Sequence, residues 1–135
     1  MWDVNALIPS RPLNRGDLPD LRAFLGREVH LVIDRPLGTV HPRHAEIVYP
    51  VNYGYVPGTL AGDGEPIDAY LLGVHEPVAE AKGMVIALIV RSDDIEDKLV
   101  VAPASMRFSA AEIRDFVHFQ ERSFDSRVVM REATP

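Results

Sequence analysis

The chain has 135 residues, enough for one domain with one hydrophobic core, expected to run over residues 1–135. Its 20 acidic against 14 basic side chains leave a formal charge of −6, which argues against a nucleic-acid partner. Without cysteine, disulfides and thiolate chemistry are excluded. No apolar run nears the roughly 20 residues of a membrane span. No basic stretch followed by an apolar one marks a signal peptide. A cytoplasmic protein without a membrane partner is expected.

In chain order, Met1 to Asn14 mixes Trp2, Leu7, Ile8, Pro9 and Pro12 without a period and reads as an irregular arm. Asp17 to Leu25 places Leu18, Leu21, Phe24 and Leu25 on one side, with Gly26 as a stop, and reads as a short helix or a surface turn. Val29 to Asp34 is a predicted strand ending in an acid. Leu37 to Glu46 is a polar stretch containing His41-Pro42-Arg43-His44. Ile47 to Tyr49 and Tyr53 to Val56 read as short strands broken at Pro50. Either tyrosine suits an ordinary half-buried ring, or a hydroxyl that donates to an anion.

The next segment, Asp63-Gly64-Glu65-Pro66-Ile67-Asp68, carries three carboxylates within six residues. Such crowding is repulsive unless something positive lies between them. A hard divalent cation takes oxygen ligands, glycine lets the backbone turn between them, and Pro66 stiffens the exit. The bland reading is a solvated turn, since Asp, Gly and Pro are the commonest turn residues. Ala69 to Leu72 is a strand, Gly73 to Gly83 a loop, and the apolar run Met84 to Arg91 a central strand covered on both faces. A second acidic run, Asp93-Asp94-Ile95-Glu96-Asp97-Lys98, follows. Our reading is that the two runs converge on divalent metal ions that bind a phosphate ester or anhydride.

Leu99 to Ala102 is a further strand. Ser109-Ala110-Ala111-Glu112 is a capping box, and the helix after it aligns Ile113, Phe116, Val117, Gln120 and Phe124 on one face. Val128 to Met130 is a last short strand. Many short strands with one late helix suggest a small β-barrel plus helix, mainly β with α.

Tyr49-Pro50-Val51-Asn52-Tyr53-Gly54-Tyr55, followed by Asp63-Gly64-Glu65-Pro66-Ile67-Asp68, resembles the soluble family I inorganic pyrophosphatases, whose signature is D-G-D-P-hydrophobic-D after YP-x-x-YG. The resemblance extends from Val32-Ile33-Asp34-Arg35-Pro36 to the run Asp93 to Pro103. It implies an OB-like, closed five-stranded barrel with a C-terminal helix, a homo-oligomer, and Mg²⁺-dependent hydrolysis of pyrophosphate, with Mn²⁺ or Zn²⁺ as other metals. Asp34, Asp63, Asp68, Asp93 and Asp97 would hold metal, with Asp94 in place of Asp93 and Glu96 in place of Asp97 left open. Glu65 stands where the family's middle aspartate takes a proton from the attacking water, and Tyr53 matches an active-site tyrosine. Lys98 matches a phosphate-binding lysine. Arg43 is the candidate guanidinium for phosphate, and His41 and His44 are either further donors or part of a polar loop.

The chain departs from the family in ways that bear on substrate. It is shorter, one lysine near residue 40 has no counterpart, and Ser123 and Phe124 occupy the places of a Tyr-Lys phosphate clamp. Two alternatives therefore stand beside pyrophosphate hydrolysis. One is a relative that hydrolyses another small phosphate compound. The other is a barrel that binds metal and phosphate without turnover.

Overall fold

A computed structural model describes residues 20–92 and 96–131. The arm expected over Met1 to Asn14, the start of the first helix at Asp17, and Asp93, Asp94 and Ile95 lie outside the described residues. Where a short helix or a surface turn ending at Leu25 is predicted, the described part is a single 3-10 turn, Leu21–Phe24, capped by Asp20, whose carboxylate accepts the Arg22 N–H. Leu21 is buried there, and Phe24 and Leu25 pack half-buried against the same core.

Six strands follow: β1 (Glu28–Arg35), β2 (Asn52–Val56), β3 (Ile67–Leu71), β4 (Glu80–Arg91), β5 (Lys98–Ala102) and β6 (Ser126–Met130), with helix α1 (Ala110–Glu121) between the last two. The strands are hydrogen-bonded in the order β1-β2-β3-β5-β4, and β4 returns to β1, which closes a five-stranded barrel. Every neighbouring pair is antiparallel except β3 and β5. Strand β6 lies outside the ring, paired to the far half of β4.

Closure depends on β4, which is longer than predicted. The loop expected up to Gly83 gives way at Glu80, because Glu80–Met84 pairs with Glu28–Val32. The acid and lysine of Glu80-Ala81-Lys82-Gly83 alternate outward, so this half of the strand has no apolar signal. At Gly83 an added Cβ would lie 2.9 Å from the Ala102 carbonyl oxygen and 2.7 Å from Val101, so β5 can cross only over a glycine. A register shift between Val85 and Ala87 bends the strand from one partner to the other. The strand expected over Ile47 to Tyr49 is reduced to one bridge, Val40 to Val48.

Alternation on the strands produces two cores. Leu31, Ile33, Ile67, Leu71, Leu88 and Leu99 belong to the cluster that fills the barrel. Tyr49, Tyr53, Tyr70, Ile89 and Val100 point the other way and pack under Ile113 and Val117 of α1. The helix starts at the predicted capping box: Ser109 Oγ accepts from the Glu112 N–H and Glu112 accepts from the Ser109 N–H. No helix among the described residues is long and apolar enough to cross a membrane.

Candidate active site

The polar site occupies the same outer face as the core under α1, one step along the strands. On β3, Asp68 precedes Tyr70 by two residues and therefore shares its face. On β5, Lys98 precedes Val100 in the same way, and the two strands run parallel. Ladder pairing continues the face across Tyr70 to Tyr53 on β2 and from Tyr53 to Arg35 on β1. Arg35 reaches this face because the β1–β2 register shifts between Ile33 and Arg35. Ile33 fills the barrel interior, and simple alternation would send Arg35 inward as well. The bulge turns it outward beside Tyr53.

The centre of the site is a carboxylate pair bridged by a buried ammonium. Lys98 is 3% exposed, and its Nζ lies 3.0 Å from Asp68 Oδ2 and 2.6 Å from Glu96 Oε1. Glu96 is pushed up to about 6, first by burial and then by its hydrogen bond with Asp68, against the pull of Lys98. Burial alone would raise Asp68 too, but the Glu96 hydrogen bond and the Lys98 charge hold it below the usual range. The pair thus shares a proton at mildly acidic pH, and Glu96 is the member that keeps it. Tyr53 donates its hydroxyl to Asp68 Oδ2 at 3.0 Å. Burial and the neighbouring Asp68 charge raise Tyr53 well above its ordinary value, so it acts as a fixed donor and not as a base.

A cleft of about 460 Å³ opens over this cluster. Of the predicted site residues, Tyr53, Asp68, Lys98, His41, Arg43 and His44 line it together. The Arg43 N–H donates to His41 Nδ1 at 3.1 Å, which leaves Nε2 as the proton-bearing nitrogen of a neutral His41. Burial, Arg35, His44 and Arg43 all depress the His41 pKa. His41 therefore contributes a hydrogen-bond donor near neutrality and not a charge.

The other predicted residues lie elsewhere. Asp63 and Glu65 do not line the cleft. They belong to the exposed loop before β3, where Asp63 Oδ1 accepts the Glu65 N–H at 3.0 Å and closes a local turn. Asp34 sits exposed on β1, raised by burial and by the Asp68 charge and lowered by Arg35. Asp97 is buried and its Oδ1 accepts the Arg91 N–H at 3.2 Å. Between the two candidates Glu96 and Asp97, Glu96 is the one that lines the cleft. Asp93 lies outside the described residues.

Several contributors were not singled out from sequence. Arg35 and Arg91 also line the cleft. Arg35 Nη1 donates to Tyr49 Oη (2.7 Å), Tyr49 donates to Gln120 Oε1 (3.1 Å), Gln120 donates to Tyr70 Oη (2.8 Å) and Tyr70 donates to Glu121 Oε2 (2.6 Å). Arg91 closes the line on Glu121. The relay fixes α1 over the barrel face, and each hydroxyl in it both accepts and donates. One signal for it was legible. Glu121 follows Ile113 and Val117 at helical spacing, so an acid falls on the apolar stripe, and a buried acid requires a buried cation.

A comparison of sequences places this arrangement in context. The profile of the family described as inorganic pyrophosphatase matches residues 29–126. The inorganic pyrophosphatase of Rickettsia prowazekii is 31% identical over 108 residues, which cover 76% of this chain and 57% of that protein. That of Mesorhizobium japonicum is 29% identical over 104 residues, 71% of this chain and 59% of its own. The chain thus spans little more than half the length of these curated relatives. Among solved structures, an inorganic pyrophosphatase from Ehrlichia chaffeensis superposes with a TM-score of 0.63 at 18% identity, over 78% of this chain and 87% of that one. One from Neisseria gonorrhoeae does so with a TM-score of 0.52 at 21% identity, over 84% and 88%. These structural likenesses are likenesses of fold.

Proposed function

Since this chain belongs to the inorganic pyrophosphatase family, we propose that it hydrolyses inorganic pyrophosphate to two phosphates with the help of a divalent metal ion, Mg²⁺ first and Mn²⁺ or Zn²⁺ as substitutes. The observation that carries this reading is the Asp68–Lys98–Glu96 cluster on the floor of a cleft that is otherwise rich in cations. A phosphoanhydride needs cations around its oxygens and carboxylates around a metal, and both charge types meet here.

The donor set fits a hard cation. Asp68 and Glu96 offer oxygen only, and they stand close enough to share a proton, a crowding that a divalent ion relieves. Among the described residues no group of three acidic or histidine side chains is already gathered for a metal. Asp68 and Glu96 would hold the ion, with Asp34, Asp63 and Asp93 as the further proposed ligands. What favours Glu96 over Asp97 is that Asp97 is buried against the Arg91 backbone. When bound, such an ion supplies a Lewis acid and lowers the pKa of a coordinated water.

The side chains then divide the work. Tyr53 orients Asp68 through its hydroxyl. Lys98 and Arg43 balance charge on phosphate oxygens, and His41 and His44 donate from the cleft wall. We assign the proton of the attacking water to Glu65, whose loop would have to bring it from outside the cleft lining to within the reach of about 2.6–3.2 Å that proton transfer requires. A cytoplasmic homo-oligomer completes the proposal, supported by the family relationship.

A second reading has one observation in its favour. Phe124 lines the cleft and offers an apolar surface that pyrophosphate does not use, which suits a small phosphate compound with an organic part. Phosphate release from pyrophosphate and a panel of small phosphate esters, with Mg²⁺, Mn²⁺ and Zn²⁺, separates the two. Pyrophosphate with Mg²⁺ is expected to give the highest kcat/KM, and Glu65→Gln to abolish release while metal binding persists. Release from an ester alone favours the second reading. No release from any member leaves a binding barrel and ends the catalytic proposal.

A further inference from the structure

We infer that Arg35 is a phosphate-contacting residue of the cleft and supplies cationic grip from the barrel wall. The inference rests on the reading of this cleft as a phosphate site.

Of the other cations of the cleft, two already have carboxylate partners and the third is exposed. Lys98 lies between Asp68 and Glu96. Arg91 is held by both oxygens of Glu121. Arg43 sits in the exposed loop, tied through its backbone N–H to His41. Arg35 differs from all of these. It is half-buried, and its one side-chain partner among the described residues is the neutral hydroxyl of Tyr49, 2.7 Å from Nη1. No carboxylate forms an ion pair with it among the described residues, although Asp34 is its chain neighbour.

A guanidinium carries five donors in a planar fork, and the Tyr49 bond uses one of them. A charge withdrawn from water normally finds an anion. Here the cleft is the direction from which an anion can come, because Arg35 lines it. The side chain is also held ready. The bulge at the end of β1 aims it, the Tyr49 hydroxyl anchors Nη1, and its guanidinium carbon lies 5.8 Å from the centre of the Tyr49 ring. Preorganisation of this kind lets the remaining N–H groups meet two oxygens of one phosphate without first ordering a long side chain.

The test uses imidodiphosphate, the non-hydrolysable analogue of pyrophosphate, titrated calorimetrically into the full chain in magnesium buffer, next to steady-state kinetics. Arg35→Met should weaken imidodiphosphate binding about tenfold and raise KM more than it lowers kcat. Arg35→Lys should recover part of the affinity, since it restores the charge without the fork. Should Arg35→Met fail to fold, Arg35→Lys alone must bind several-fold more weakly than the wild type. Unchanged imidodiphosphate affinity and KM in these variants, with only the melting temperature lowered, would show Arg35 to be a brace for Tyr49 and overturn the inference. A wild type that binds imidodiphosphate through Arg35 but hydrolyses nothing removes the catalytic reading and keeps Arg35. A wild type that does not bind it at all overturns both.

Discussion

Arg91 on β4 and Glu121 at the end of α1 form a buried two-pronged ion pair, Nε to Oε1 at 3.0 Å and Nη2 to Oε2 at 2.7 Å. The guanidinium carbon lies 3.7 Å from the centre of the Phe124 ring just past the helix end. Burial would raise the Glu121 carboxyl, but Arg91 and Tyr70 outweigh it and lower its pKa. Glu121→Ala removes the carboxylate and leaves a buried guanidinium without that partner. A loss of about 3–5 kcal/mol is expected, read as a fall in denaturation midpoint, with Glu121→Gln intermediate. A loss no larger than that of an exposed substitution would count against the pair as the clamp of α1.

Gly54 tests barrel closure. A Cβ built there would meet the Val32 carbonyl oxygen at 1.9 Å, with the Ile33 Cα at 2.8 Å. Backbone cannot yield as a flexible side chain can, so Gly54→Ala should force β1 and β2 apart. We expect a protein that is recovered unfolded or melts far below the wild type. A Gly54→Ala variant with near-native stability would refute the close approach of these strands.

Glu96 sets a pH dependence in metal-free buffer. Its folded pKa, about 6, lies above the ordinary 4.5, so the folded state binds the proton more tightly than the unfolded one. This contribution to stability is complete below about pH 4.5 and is lost as pH rises through about 6. Melting temperatures between those values should fall less steeply with pH in Glu96→Gln than in the wild type. Identical slopes would show that Glu96 does not hold the proton.

Tyr53→Phe addresses the orientation of Asp68. Loss of the 3.0 Å hydroxyl bond removes a donor that favours the ionised carboxylate. The Asp68 pKa should rise, as measured by carbon-detected NMR titration, and stability should drop by about 1 kcal/mol. If the Asp68 titration stays where it was, Tyr53 is a packing residue only.

Much of this protein was legible in order along the chain. Local signals are carried by neighbouring residues, so the capping box at Ser109, the apolar stripe of α1 and the β-branched runs of β1, β4 and β5 were readable. The motif from Tyr49 to Asp68 was specific enough to name a family. Its half that lies on strands, Tyr53 and Asp68, enters the cleft with Lys98. Its half that lies on the exposed loop, Asp63 and Glu65, does not. Spacing sets which residues share a segment, but the direction of a loop depends on contacts that spacing does not contain.

The sequence by itself determined most of the element types, the two apolar faces of the strands, and the abundance of acids that calls for a cation. Tertiary structure decided which charges meet. The first four residues of β4 are a strand because β1 lies beside them, although they carry no apolar pattern. Arg35 faces the cleft because one bulge reverses the alternation that would have sent it into the barrel. Glu96, and not its neighbour Asp97, reaches Lys98, because Asp97 is turned to the Arg91 backbone. At Arg35 a shift of one residue exchanges the two faces of the strand, and only pairing with a distant strand fixes that shift.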